Sequence, residues 1–284
     1  MSKIIKEDLI RDFISIGIQP GNMLLIRGDL GAVGRVVGGA NTFIEALLEL
    51  LGPEGTIVSL AFTGASFLKK PKIEDAFFTG KKSYAGALPN AMLAYPNAKR
   101  SRHPMCSYVA IGKHADHITA DHDENSPAYE PVRKVIEADG KCILVGCVKS
   151  SPGFTTAHLA EHDLGMASRV IFSKSATTYY KDKNHELKLF RRNDPGLCSN
   201  SYWKFYSSYV REEVLTAGFV GKAYSIIAPA KKTYEIEYKA LSVNKKFNIC
   251  HSKDCFSCNA NRWDRLHHLP VFVFRKFVQK FRRP

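Results

Sequence analysis

Three side chains that can move protons or bind a metal lie within five residues. His158, Glu161 and His162 are spaced i, i+3 and i+4, so a helix places them on one face. Thr155 or Thr156 is expected to cap the start of that helix. The helix dipole disfavours an imidazolium in the first turn, so we expect His158 to stay neutral and to accept a proton. The segment therefore predicts general-base chemistry.

The same string also matches H-x-x-E-H, the inverted-zincin pattern, in which two histidines bind zinc and the glutamate is the base. A further carboxylate ligand is needed downstream, and Glu235 or Glu237 is available. A metallohydrolase is therefore an alternative hypothesis.

A glycine-rich loop at 28–39 follows a predicted strand and precedes a predicted helix. Gly38 and Gly39 let the backbone approach a ligand, and the helix N-terminus that follows suits a phosphate group. Arg35 adds a positive charge. The pattern is neither G-x-G-x-x-G nor a P-loop, so a tight strand-to-helix turn is the alternative.

The loop at 120–127 contains Asp121, Asp123 and the turn formers Asn125 and Ser126. These residue types favour a solvated acidic turn. The alternative is that one of the carboxylates orients His158.

Four thiol or imidazole groups occur within nine residues, at Cys250, His251, Cys255 and Cys258. Such a set suits a closed tetrahedral zinc site, in which His251, or His267 or His268 further on, is the fourth ligand; free or buried thiols are the alternative. The other cysteines are scattered, at Cys106, Cys142, Cys147 and Cys198. Cys142 and Cys147 flank an apolar predicted strand, where buried free thiols are expected.

The composition favours one large folded domain. The chain has 284 residues, 45% of them hydrophobic and 24% charged, which excludes a wholly disordered or collagen-like protein. We find no signal peptide and no apolar stretch long enough to span a membrane. We therefore expect a cytoplasmic protein whose cysteines are reduced.

The net charge of +14 is concentrated toward the end of the chain. From Asn261 onward there are seven basic residues against one acidic residue. Positive charge attracts nucleic acids, phosphorylated metabolites or anionic membranes, but no nucleic-acid-binding module accompanies it. The segment 269–284 alternates phenylalanines with basic residues. This pattern favours an element that packs on the main domain and leaves a basic edge in solvent, and peripheral membrane contact is the alternative.

The order of predicted elements indicates an α/β fold. A strand at 22–27, a helix after the glycine loop and a strand at 56–62 form a crossover unit, which requires parallel strands. Further helices are predicted at 3–17, 157–166, 207–217 and 232–241, and further strands at 108–111, 141–145 and 219–227.

The motifs together resemble the aminoglycoside 3-N-acetyltransferase family over roughly residues 5–242. The matching pieces occur in the family's order, at 21–26, 36–39, 52–58, 62–63, 86–89, 100–104, 125–127, 140–146, 155–161 and 218–221. The resemblance implies an α/β fold with a mixed sheet flanked by helices. We therefore divide the chain into an acyltransferase domain, 1–244, and a basic, Cys-containing extension, 245–284.

The resemblance also implies a mechanism in which an acyl-coenzyme A thioester lies beside an amino sugar. His158 would be the general base, Glu161 would position or deprotonate the amine, and Asp123, rather than Asp121, would orient His158. The residues assigned to the coenzyme are Arg27, Asp29, Leu30, Arg35, Val37, Gly38, Gly39, Ser101, His103 and Thr155.

Two departures from the family pattern bear on the acceptor. The family commonly has His-Ser-Ser-Leu where this chain has residues 27–30, and its second histidine of H-P-x-H-S is Cys106 here. Aminoglycosides are polycations, whereas a protein with a net charge of +14 attracts anions and repels cations. The leading hypothesis is therefore N-acylation of a nucleotide-linked amino sugar for surface polysaccharide.

Aminoglycoside modification is the nearer alternative hypothesis. From a different class, a non-catalytic zinc- or anion-binding module would use the same basic surface. A homo-oligomer is compatible with the sequence.

Overall fold

The computed structural model describes residues 3–281. These residues contain ten strands: β1 (Met23–Gly28), β2 (Thr56–Leu60), β3 (Ser66–Phe67), β4 (Lys99–Arg100), β5 (Tyr108–Gly112), β6 (Lys141–Val145), β7 (Ala176–Lys181), β8 (Leu187–Arg191), β9 (Thr216–Val220) and β10 (Ala223–Pro229).

The same residues contain eleven α-helices: α1 (Lys6–Ser15), α2 (Leu30–Val33), α3 (Ala40–Leu51), α4 (Ala87–Leu93), α5 (Ala115–Thr119), α6 (Glu130–Glu137), α7 (Thr156–Asp163), α8 (Tyr206–Arg211), α9 (Ala230–Val243), α10 (Phe256–Asn259) and α11 (Leu269–Phe281). Short 3-10 helices occur at Ile73–Asp75, Met166–Arg169, Ser199–Phe205 and Trp263–His268.

The main sheet has seven strands in the order β4-β5-β2-β1-β6-β10-β9. Strand β1 is parallel to both β2 and β6, and the outer strands are antiparallel. Strands β3, β7 and β8 form a separate antiparallel sheet. The predicted mixed sheet flanked by helices is confirmed.

The core lies on both faces of the main sheet. Leu24 and Ile26 pack with α1 and α3 on one face, whereas Met23 and Leu25 pack toward α6 and α9 on the other. This burial on both faces explains the continuous apolar run of β1, since successive strand residues point to opposite sides.

Helix α7 is held against the sheet by α9. Thr156 Oγ1 lies 3.1 Å from Thr233 Oγ1, and the Tyr234 hydroxyl donates to Asp163 at 2.6 Å. These contacts at both ends of α7 set the direction in which its histidines project.

One predicted strand proved wrong. The segment predicted as a single strand at 219–227 is the end of β9, a turn and most of β10. Gly221 turns the chain with φ +58°, a conformation that glycine adopts without strain. The helix predicted at 207–217 ends at Arg211, and the last two residues of the predicted span belong to β9.

The segment after residue 244 packs against the rest of the chain. Arg262 is 2% exposed, forms an ion pair with Asp264 and donates to the Lys245 carbonyl. Asp264 also pairs with Arg169 of the main body at 3.1 Å. The boundary at 244 stays a prediction.

Helix α11 leaves much of its apolar surface in solvent. Phe274, Phe277 and Phe281 are each 60% exposed or more. Membrane contact through this helix stays a prediction, and residues 282–284 of that segment lie outside the described residues. Among residues 3–281, no helix has the length and apolar character needed to cross a bilayer.

Candidate active site

A cavity of about 350 Å³ opens where the three parallel strands end. Its walls come from the carboxyl ends of β1 and β2, the loop after β6 and the start of α7. It is lined by Arg27, Gly28, Ser59, Leu60, Phe62, Tyr84, Ala85, Pro89, Cys147, Ser151, Thr155, His158 and Ser199. Because β1 lies between β2 and β6, the crossovers diverge here, and α/β sheets commonly bind ligands at such a point.

His158 lies in the first turn of α7 and borders this cavity. Its ring stacks on Tyr129, with centroids 4.9 Å apart and planes 15° from parallel. Its Nδ1 lies 2.9 Å from Glu161 Oε2 and 2.7 Å from the Tyr202 hydroxyl. The imidazole is thus held from three sides.

Glu161 is 3% exposed and accepts four hydrogen bonds. The donors are His158 Nδ1, the Leu197 backbone N–H, the Tyr202 hydroxyl and Asn248 Nδ2. Burial and the nearby Glu161 charge raise the pKa of Tyr202 well above its ordinary value, so the phenol stays a donor. Four donors compensate the burial of a carboxylate charge.

This arrangement selects one tautomer of His158. An ionised carboxylate only accepts, so Nδ1 carries the hydrogen that faces Glu161, and the lone pair is on Nε2. Among residues 3–281, no side chain or backbone group is hydrogen-bonded to Nε2. An imidazole with a buried carboxylate at Nδ1 and an unpaired Nε2 has the geometry needed to accept a proton.

A sequence model of the aminoglycoside 3-N-acetyltransferase family matches residues 25–242, well over half of the chain. The chain belongs to this family.

Curated family members match over part of their length. Aminoglycoside N(3)-acetyltransferase III of Salmonella sp is 32% identical over 162 residues, which cover 51% of this chain and 56% of that protein. Aminoglycoside N(3)-acetyltransferase IV of Salmonella sp is 33% identical over 163 residues, covering 55% of this chain and 58% of that protein. The chain thus spans a little more than half the length of these relatives.

Solved structures of family members share the fold. The aminoglycoside acetyltransferase AAC(3)-IVa apoenzyme superposes with a TM-score of 0.73 at 24% identity, covering 91% of this chain and 96% of that one. AAC-IIIb, solved with CoASH, superposes with a TM-score of 0.71 at 23% identity, covering 88% of this chain and 100% of that one. The predicted fold extends over nearly the whole of both acetyltransferases.

The carboxylate beside His158 is Glu161, not Asp123. Asp123 Oδ1 accepts from the Asn125 backbone N–H at 2.9 Å, within its own turn, and Asp121 pairs with Lys134. The acidic loop is therefore a structured turn. Glu161 reaches His158 because the two residues are one helical turn apart on α7.

Two of the ten residues assigned to the coenzyme, Arg27 and Thr155, line the cavity. Thr155 makes no side-chain cap on α7. Arg27 donates to Ser151 Oγ at 3.1 Å, and its Nε is buried with no hydrogen-bond partner among the described residues. The guanidinium thus retains one buried N–H without an acceptor among the described residues.

The remaining assigned residues lie elsewhere. Asp29 caps the short helix α2, and Leu30 is half-buried against the core. Arg35, Val37, Gly38 and Gly39 form an exposed turn before α3 and do not line the cavity.

Ser101 and His103 were wrongly assigned to the coenzyme. Both are buried, at 0% and 1% exposure. Ser101 Oγ lies 2.9 Å from His122 Nδ1 and accepts from the Tyr108 backbone, and His103 stacks on His122. Burial lowers the pKa of both histidines, that of His122 to about 4. They are neutral groups of the core.

The geometry does not assemble an inverted-zincin site. His162 Nδ1 lies 3.2 Å from Asp163, and within residues 3–281 His158, Glu161 and His162 do not form a group close enough to share a metal. Glu235 pairs with Lys232, and Glu237 is fully buried against the Tyr209 hydroxyl. Burial raises the pKa of Glu237 well above its ordinary value, which disfavours the carboxylate form that a metal ligand needs.

The thiol cluster has a different fourth member from the one predicted. Cys250, Cys255 and Cys258 converge with Cys198, whereas His251 is exposed and outside the group. Within residues 3–281 this is the one group of three or more cysteine, histidine or carboxylate side chains close enough to share a metal. All seven cysteines are free thiols, and Cys142 and Cys147 are buried as predicted.

Sequence reasoning missed three side chains around the base, those of Tyr129, Tyr202 and Asn248. Tyr129 follows the Ser126-Pro127 motif closely, which is a signal that could have found it. No pattern in the sequence marks Tyr202 or Asn248, since both reach Glu161 only through the tertiary fold.

Proposed function

We propose that this protein is an acyl-coenzyme A-dependent N-acetyltransferase that acetylates an amine of an amino sugar, with aminoglycosides as the first acceptor class. The observation that carries the proposal is the Glu161–His158 pair, in which Glu161 engages Nδ1 of a histidine that lines a cavity at the ends of the parallel strands. Family membership and the fold shared with an acetyltransferase solved with CoASH support it.

In the proposed step, an ammonium group first loses a proton to solvent, because only the neutral amine is nucleophilic. The amine nitrogen bonds to the thioester carbonyl carbon, and the C–S bond breaks. His158 Nε2 takes the second nitrogen-bound proton, and that proton then goes to the thiolate sulfur. Glu161 stabilises the transient imidazolium from the Nδ1 side.

The thioester end of the coenzyme is assigned to the cavity beside His158. Leu60, Phe62 and Pro89 give it an apolar wall, and Arg27 gives it a cation. The exposed N-terminus of α3, with Arg35 and the glycine pair 38–39, remains our proposed site for the coenzyme phosphates, since such a terminus suits an anion.

The acceptor is assigned to a second cavity of about 620 Å³, whose wall carries Glu124, Arg191 and Asp194, the last already ion-paired with another arginine. His162 and Asp194 also border a narrow gap that reaches His158 and Glu161. Carboxylates suit the several ammonium groups of an aminoglycoside. The two cavities would bring amine and thioester to His158 from different sides.

A nucleotide-linked amino sugar is the second candidate acceptor. Apart from His158, the only ionisable groups on the wall of the 350 Å³ cavity are Arg27, Cys147 and Tyr84, and the whole chain is at +14. Both features favour an anionic substrate. The exposed phenylalanines and basic residues of α11 support peripheral membrane contact in the same role.

The test is acetyl transfer from acetyl-coenzyme A to a panel of aminoglycosides and nucleotide-linked amino sugars, with the free thiol as readout. We expect His158→Ala to lower kcat by about 10²- to 10⁴-fold while calorimetry still detects coenzyme binding. His185→Asn is the matched control, because His185 is an exposed turn residue at φ +63°, which asparagine tolerates. Equal turnover by both variants would contradict the proposal, and the preferred amine decides between the acceptors.

A further inference from the structure

Four cysteine sulfurs converge between the main body and the C-terminal segment. The Sγ atoms of Cys198, Cys250, Cys255 and Cys258 all lie within 4.8 Å of one another. The sulfurs of Cys198 and Cys255 are 3.5 Å apart, far longer than the about 2.05 Å of a disulfide bond. Tetrahedral zinc with Zn–S near 2.3 Å places its sulfurs about 3.8 Å apart, which agrees with this spacing.

Basic side chains lie beside the thiol cluster. Cys250 borders a cavity lined by five basic side chains: Lys204, Lys246, Lys253, Arg265 and Arg275. Four thiolates around Zn²⁺ leave a net charge of about −2, which nearby cations stabilise. The Cys250 backbone N–H also donates to Cys258 Sγ at 3.4 Å, and such bonds orient the ligands of a metal site.

The two halves of the cluster adjoin the two segments that hold Glu161. Cys198 directly precedes the 3-10 helix Ser199–Phe205, which contains Tyr202. A single residue, Ile249, separates Asn248 from Cys250. Tyr202 and Asn248 both donate to Glu161 Oε1. The cluster is therefore joined through short stretches of backbone to both side chains that hold the carboxylate.

We propose that Cys198, Cys250, Cys255 and Cys258 bind one zinc ion, and that the ion fixes Tyr202 and Asn248 in place around Glu161. A zinc ion at this site would close a loop of about fifty residues between Cys198 and Cys250. A cross-link across so long a loop lowers the conformational entropy of the unfolded chain substantially. The positioning of Tyr202 and Asn248 around Glu161, called the positioning half of the proposal, rests on the proposed function. Zinc binding by the four cysteines does not.

Metal content of the purified full-length chain, measured by mass spectrometry, tests the ligand set. We expect one zinc per chain in the native protein, and none in Cys255→Ser or Cys198→Ser. Cys255→His should retain zinc, because three thiolates and an imidazole also make a tetrahedral site. His251→Ala is the matched control and should keep its zinc, since His251 is exposed beside Cys250 and outside the cluster.

Cobalt replacement gives a second readout that is independent of activity. Four thiolates around Co²⁺ produce strong visible absorption, which should be lost in Cys198→Ser and kept in His251→Ala. A native chain with neither zinc nor cobalt binding, or zinc that survives Cys198→Ser, would overturn the proposed site.

Removal of zinc from the folded native protein with a chelator tests the positioning half and avoids variants that fail to fold. We expect kcat to fall about 10- to 100-fold, with KM for acetyl-coenzyme A changed less than about threefold, and recovery when zinc is restored. Unchanged kcat after complete removal would overturn this half. A zinc-containing protein without transferase activity would instead count against the proposed function alone.

Discussion

Replacing Glu161 by glutamine removes one negative charge behind His158 and changes little else in volume. The side chain is 3% exposed, and its Oε2 lies 2.9 Å from His158 Nδ1. Glutamine offers one acceptor oxygen where glutamate offers two. Of the four donors that now face the carboxylate, some must therefore turn or lose their acceptor.

The expected loss follows from the charge that His158 acquires during the reaction. With charge centres about 4 Å apart and an effective permittivity near 20, the carboxylate stabilises the imidazolium by about 4 kcal/mol. This corresponds to about a 10³-fold fall in kcat for Glu161→Gln. An unpaired buried donor adds a stability cost of about 1–3 kcal/mol.

The assay compares kcat and urea unfolding of Glu161→Gln with those of Glu237→Gln. Glu237 is equally buried, but its hydrogen-bond partner is the Tyr209 hydroxyl and not His158, so its replacement by glutamine leaves the carboxylate behind His158 in place. We expect Glu237→Gln to keep kcat within about tenfold of the native value. A Glu161→Gln variant that folds and retains at least a fifth of native kcat would refute the reasoning.

Two further outcomes test the buried histidine and the cavity wall. Burial lowers the pKa of His122 from its ordinary value of 6.5 to about 4. Between these two pH values the His122 imidazole is protonated in the unfolded chain but not in the folded protein. Stability should then fall by about 2 kcal/mol as the pH drops from 7.5 to 5. In urea unfolding, His122→Asn should reduce this slope, and a slope unchanged by the substitution would count against the assignment. Arg27→Ala should raise KM for acetyl-coenzyme A by about 10- to 100-fold, since hydrogen bonds to charged groups contribute about 1.5–3 kcal/mol; an unaltered KM and calorimetric Kd would remove Arg27 from the coenzyme site.

Local patterns predicted much of the scaffold. The apolar runs of β1, β2 and β6 and the short crossover between β1 and β2 indicated parallel strands, because a buried strand must be apolar on both faces. The hairpin of β9 and β10 was missed, since the apolar residues on either side of Gly221 read as one continuous strand. The antiparallel pairing of β10 with β9 shows where the chain reverses.

The His158–Glu161 pair could be predicted from sequence because both residues belong to one helix, whose geometry is local. The one-turn spacing alone brings their side chains together. Asp123, Ser101 and His103 were misassigned because a motif records residue type but not exposure. Their burial or turn geometry depends on packing between distant segments.

Contacts between distant parts of the chain were decided only by the tertiary structure. Tyr202 and Asn248 meet at Glu161, and Cys198 joins the three C-terminal thiols in place of His251. About fifty residues separate Cys198 from Cys250, and no short-range periodicity spans that distance. Residue types and spacings therefore specify what chemistry the chain can perform, while packing selects which side chains come close enough to perform it.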